Sequence, residues 1–190
     1  ARKANEEDHN SGHFWEARFK SQALLDEAAL LTCMAYVDLN PIRASMTNTL
    51  NASDYTSIQE RLGITPQQEK DKPVKHTEST CKDLMPFSEC IKNDTPNAFL
   101  PFTHSDYLEL VDWAGRAVQE DKSGYTSNNT PKVLTQFNLD PEQWLSTCTH
   151  VEREFYLVIG PVAKLEAFAK KIKQCWLKGR PACRGLSASE

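Results

Sequence analysis

Three polar residues stand four apart in the stretch AALLTCMAYVDLNPIRA: Thr32, Tyr36 and Asn40. A helix advances about 100° per residue, so residues at this spacing share a face. With Leu30 at the wheel's origin, Leu31, Met34 and Val37 cluster on one side, and the polar three fall opposite. A tyrosine on that stripe, with an amide one turn beyond, is either a functional hydroxyl or a residue at the margin of a core with its oxygen in water. A second group is basic. From Pro161 to Arg184 there are seven lysines and arginines and one acid, Glu166, giving +6, whereas the chain's net charge is −4 and the remainder carries −10. A cationic end on an acidic body suits a nucleic acid; it equally suits a solvated helix face.

The histidines do not form a convincing metal site. His9, His13, His76, His104 and His150 contain no His-x-His pair, and His9 and His13, four apart, lie in a polar stretch with a glycine. The six cysteines include no Cys-x-x-Cys pair, and several occupy apolar helical positions, where a thiol packs as a small hydrophobe. With no secretory signal or long apolar run, the expectation is a cytoplasmic protein with reduced thiols and no membrane contact.

The elements that would carry these groups follow from periodicity. Trp15, Ala17, Phe19 and Ala23 alternate with charged and polar residues, predicting a strand over 14–25 with one buried face. Asp26 caps a helix over 27–39 that Pro41 ends. A short helix in SDYTSIQERL is capped by Ser53 or Asp54 and closed by Gly63. Residues 1–12 are polar and read as disordered or loop. Residues 64–101 hold five prolines and no periodicity and read as a long linker or an irregular excursion. After it, a helix runs from Ser105 to about Glu120, a second starts at the capping sequence Asp140-Pro141 and continues to residue 159, and a third covers 161–178 with Leu165, Phe168, Ile172, Cys175 and Trp176 as its apolar stripe. The strand 14–25 finds no partner in this reading. Since a strand cannot stand alone, and the chain opens on Ala1, the expectation is the C-terminal part of a longer protein.

The segment GHFWEARFKSQALLDEAALLTCMAYVDLNPIRA resembles the end of the catalytic domain of single-tyrosine HUH transposases, nearest to the REP-associated tyrosine transposases and their insertion-sequence relatives. It shares with them an aromatic-basic strand (FWEARFK), an acidic helix start (LLDEAAL), and a tyrosine followed by Asn-Pro and a basic residue (YVDLNPIRA). The later segments SDYTSI, LPFTHSDYLELVDWAGRAVQEDKSG and LDPEQWL are similar to the tail of one bacterial branch, so the likeness spans most of 12–184. It implies that Tyr36 attacks a phosphodiester of single-stranded or hairpin DNA, leaving a 5′-phosphotyrosine and a free 3′-hydroxyl. It implies a divalent metal, Mg or Mn, with Asn40 completing a shell whose histidines this sequence lacks. Arg18, Lys20 and Arg43 become phosphate contacts, and Lys170, Lys171 and Lys173 DNA contacts of the last helix.

The fold class expected on this basis is mainly α. A remnant strand and helix of an α/β, ferredoxin-like catalytic domain (1–62) would be followed by a linker (63–101) and a helical C-terminal region (102–190). DNA is the expected partner, with a homodimer as a second expectation. Lacking the histidine pair, the 190-residue chain by itself is expected to bind DNA weakly without cutting it. The alternatives are a non-catalytic DNA-binding module and an inactive remnant of a truncated transposase.

Overall fold

The fold is taken from a computed structural model that describes residues 2–7, 9, 11–12, 21–54, 56–63, 84–90, 98–119 and 130–186. Among these, the chain is mainly helical with one two-stranded parallel sheet. Residues 14–20 of the expected strand, with Arg18 and Lys20, lie outside the described residues. Arg2–Glu7 forms a short helix, α1, in place of the expected loop, and buries none of its residues.

The strand that is described, β1, is only Ala23–Leu24, and its partner is in the chain. β2, Val158–Ile159, pairs with it in parallel, Ala23 opposite Val158 and Leu24 opposite Ile159. The expectation of an unpartnered strand is therefore corrected. So is the single helix over 141–159, which divides into α7 (Pro141–Thr149), α8 (Val151–Glu154) and β2. The apolar run FYLVIG fits a helix by period, but Phe155 turns extended at φ −109 and ψ 157, and Leu157 and Ile159 offer carbonyls to the amides of Ala23 and Leu25, both at 3.0 Å. Gly160 permits this approach: a Cβ there would sit 2.8 Å from the Leu25 Cβ.

The helix α2 covers Glu27–Asp38, with Asp26 accepting from the Ala29 amide at 2.8 Å as its cap. Pro41 does not end the helical path. Leu39 stays in the helical region at φ −85 and ψ −7, and Asn40–Arg43 forms another turn, α3, in which a proline near the start costs no hydrogen bond. The short α4 is Ser57–Arg61, capped by Thr56 instead of Ser53 or Asp54. Then come α5 (His104–Gln119), α6 (Lys132–Gln136) and α9 (Val162–Lys171).

One core holds these elements together. Ala29, Leu31 and Ala35 of α2, Tyr107, Leu110, Val111 and Ala114 of α5, and Trp144 and Cys148 of α7 are all buried in it. The end of the expected linker belongs to it too. Phe87 and Leu100 form a parallel bridge, the Leu100 amide donates to Pro86 O at 2.8 Å, and Phe87, Leu100 and Phe102 are buried. Burial of aromatic rings gives this proline-rich stretch a place that periodicity cannot reveal.

Buried polar groups set how the helices meet. Asp38 is fully buried at the end of α2. Its Oδ1 accepts from Ser57 Oγ at 2.7 Å and from the Ile58 amide at 3.1 Å, and its Oδ2 accepts from the Tyr107 hydroxyl at 2.6 Å. One carboxylate thus ties α2 to α4 and α5. Thr32, also fully buried, donates to Ala28 O at 2.7 Å and accepts from Trp144 Nε1 at 2.9 Å, tying α2 to α7.

Candidate functional site

The stripe of Thr32, Tyr36 and Asn40 is not a polar face turned to water. Its first member is sealed against Trp144, Tyr36 is half-buried against the core, and only Asn40 is exposed. The side expected to be buried is in part the outer one, with Val37 52% exposed. The helix is apolar around most of its circumference and packs on both α5 and α7, so a one-sided wheel assigns its faces wrongly.

Tyr36 has two charged neighbours. The turn restarted at Pro41 brings Arg43 back along the helix, and its guanidinium carbon lies 4.5 Å from the centre of the Tyr36 ring. The Glu152 carboxylate, in the first turn of α8, and the Arg43 guanidinium both act electrostatically on the Tyr36 hydroxyl. Burial raises the phenol above the ordinary tyrosine value, the Glu152 carboxylate adds to the rise, and Arg43 opposes it. The hydroxyl is therefore protonated at neutral pH, with a carboxylate charge acting on it. Arg43 Nη1 is buried and without a hydrogen-bond partner. Burial pushes the Cys148 thiol up to about 12, and the Arg43 charge opposes the rise. That thiol stays protonated and donates to Thr32 O at 3.7 Å.

Chemically, the arrangement offers a hydroxyl, a proton acceptor and a fixed cation within one cluster. It does not offer a metal shell. Among the described residues no three His, Cys, Asp or Glu side chains converge on a common point, and Asn40 therefore has no companion set. His150 is turned to its own helix, its Nδ1 2.9 Å from Ser146 O. The metal implied by the resemblance thus does not fit the described residues.

The remaining candidates lie apart. Lys170 and Lys171 are exposed in the last turn of α9, and Lys173 is exposed just beyond it. The helix ends there, short of the expected 178. Lys173 takes φ 56, its amide donates to Lys170 O at 3.2 Å, and the Gln174 amide donates to Ala169 O at 2.9 Å. These two bonds close the helix end in a Schellman motif, which reverses the chain. Of the expected stripe, Leu165 is buried and Phe168 half-buried, while Ile172 is 39% and Trp176 74% exposed. The sequence did not mark Glu152 or Asp38. Each meets its partner across the fold, and no local pattern reports such a pairing. Among the described residues no helix is long and apolar enough to cross a membrane. Comparison with family models, with curated proteins and with solved structures finds no match.

Proposed function

We propose that this chain is the tyrosine-bearing part of a DNA transposase of the single-tyrosine HUH kind, with Tyr36 as the nucleophile toward single-stranded or hairpin DNA. The observation that favours it is the cluster at Tyr36: Arg43 at 4.5 Å from the ring, and the charge of Glu152 acting on the hydroxyl. Glu152 takes the phenolic proton as the oxygen attacks phosphorus, and Arg43 stands where phosphate charge is to be met. The bond broken is that between phosphorus and the 3′-oxygen, leaving DNA on Tyr36 through its 5′-phosphate, and reversal rejoins strands without a nucleotide cofactor. On this reading the β1–α2 unit is what remains of a ferredoxin-like catalytic domain. No step is assigned to Asn40 or to a metal, since the described residues do not build that shell.

The test uses a protein that carries this chain together with a histidine–hydrophobe–histidine strand. It is incubated with labelled single-stranded and hairpin oligonucleotides and manganese, then denatured. A covalent adduct is expected, absent in Tyr36→Phe and reduced in Arg43→Ala and Glu152→Gln. An adduct that persists in Tyr36→Phe overturns the assignment. The 190-residue chain alone is expected to give none. The second reading, a DNA-binding module without catalysis, is favoured by the exposed lysines around the end of α9.

A further inference from the structure

A cleft of about 360 Å³ lies between α9 and the segment that follows it, with Leu165 and Ala169 lining its apolar side and Lys170, Trp176 and Arg180 also along its walls. That volume is at the small end of the ~300–1,000 Å³ typical of ligand sites. Trp176 is 74% exposed, whereas Leu177, next to it, is 6% exposed. The chain geometry explains the contrast. The Schellman turn at Lys173 sends the backbone back beside α9. Gly179, at φ +114, then anchors it against Phe155, whose Cδ1 would lie 2.5 Å from a Cβ at that position. Leu177 is drawn into the core between these two points, and its neighbour Trp176 is left outside. Trp176 is thus held at the surface by buried residues on its C-terminal side.

The charge around it is mostly positive, and the one acid in its lining, Glu166, is paired. Among the described residues Arg180 pairs with Glu166 at 2.9 Å and Lys164 pairs with Asp26 at 3.5 Å, while Lys170, Lys171, Lys173 and Lys178 are exposed and carry no ion pair. An exposed indole beside several uncompensated cations is the pairing that unpaired nucleic acid strands use: the ring stacks on a base and the cations follow the phosphates. A duplex keeps its bases stacked on each other and has no free face to give.

We propose that this cleft is a single-stranded DNA subsite in which Trp176 stacks on one unpaired base while Lys170, Lys173 and Lys178 meet the flanking phosphates. The choice of DNA rests on the reading given above; the chemistry at Tyr36 plays no part in the binding.

The test is a titration of the 190-residue chain with a fluorescein-labelled oligothymidylate, by anisotropy, at low and moderate salt, beside a duplex of matched length. Indole fluorescence is followed in parallel in a Trp15→Phe background, since among the described tryptophans Trp113 and Trp144 are buried and Trp176 is not. The single strand is expected to bind more tightly than the duplex and to quench the indole signal. Trp176→Ala is expected to weaken binding at least fivefold, the lower end of what stacking one base contributes. Trp176→Phe, which retains a ring face, recovers most of that loss. Changing Lys170, Lys173 and Lys178 together to glutamine lowers the salt dependence. The readout is reversible binding and needs no adduct, so failure to find an adduct at Tyr36 leaves this subsite standing. Equal affinity of Trp176→Ala and the unaltered chain overturns the proposal, as does a Trp176→Phe variant as weak as Trp176→Ala.

Discussion

Removing the Asp38 carboxylate is the sharpest test of how the helices are held. In Asp38→Ala, the Ile58 amide and the Tyr107 hydroxyl each lose the acceptor they reach at 3.1 and 2.6 Å, and both residues are fully buried. Ser57 is only half-buried and can turn to water. A buried donor left without a partner costs about 1–3 kcal/mol, so two cost about 2–6 kcal/mol. Release of the carboxylate from burial offsets part of this, and a net loss of about 3 kcal/mol is expected. That is a large fraction of the ~5–15 kcal/mol by which domains are stable. Tyr107→Phe removes one donor and leaves the carboxylate two, and is expected to cost about 1.5–3 kcal/mol, as hydrogen bonds to charged groups do. The assay is urea unfolding followed by tryptophan emission, for both single variants and the double. Because the pair shares one bond, the double variant should cost less than the sum of the singles by about 1 kcal/mol or more. Strict additivity, or a loss below about 0.5 kcal/mol in Asp38→Ala, would refute the reasoning.

The same contact predicts an alkaline limit. Burial first, then the Asp38 charge and hydrogen bond, hold the Tyr107 hydroxyl well above its ordinary value of 10.0, so its stabilising contribution is complete below that pH and is lost as pH rises toward the folded value. The stability gap between the unaltered chain and Tyr107→Phe should therefore narrow at high pH; a constant gap would contradict it. Thr32→Val keeps the volume of the side chain but leaves Trp144 Nε1 without its acceptor at 2.9 Å, and should cost about 1–3 kcal/mol in the same urea assay. Thiol labelling at pH 8 should modify the exposed Cys175 quickly. Cys148 and Cys183, pushed by burial to about 12 and about 11, should label only on unfolding, as mass spectrometry of labelled peptides would show.

What the sequence determined by itself is local. Asp26 before an apolar run and Asp140-Pro141 before another each place a helix start where the structure has it, because a cap acts within three residues of itself. The predominance of helix was legible for the same reason, and so was the cationic segment around Lys170 and Lys171. What only the tertiary structure decided is which faces are covered. The period of FYLVIG allows a helix, yet Val158 and Ile159 are strand because Ala23 and Leu24 lie beside them, more than 130 residues earlier in the chain. Tyr36 reads as one member of a polar stripe, yet its neighbours are Arg43 from a turn continued through Pro41 and Glu152 from α8. Trp176 reads as the end of a helical stripe, yet a left-handed residue at Lys173 and the anchoring of Gly179 on Phe155 leave it outside. Hydrogen bonds and burial between distant segments carry the energy that chooses among locally permitted conformations, and a window of neighbouring residues holds no record of those partners.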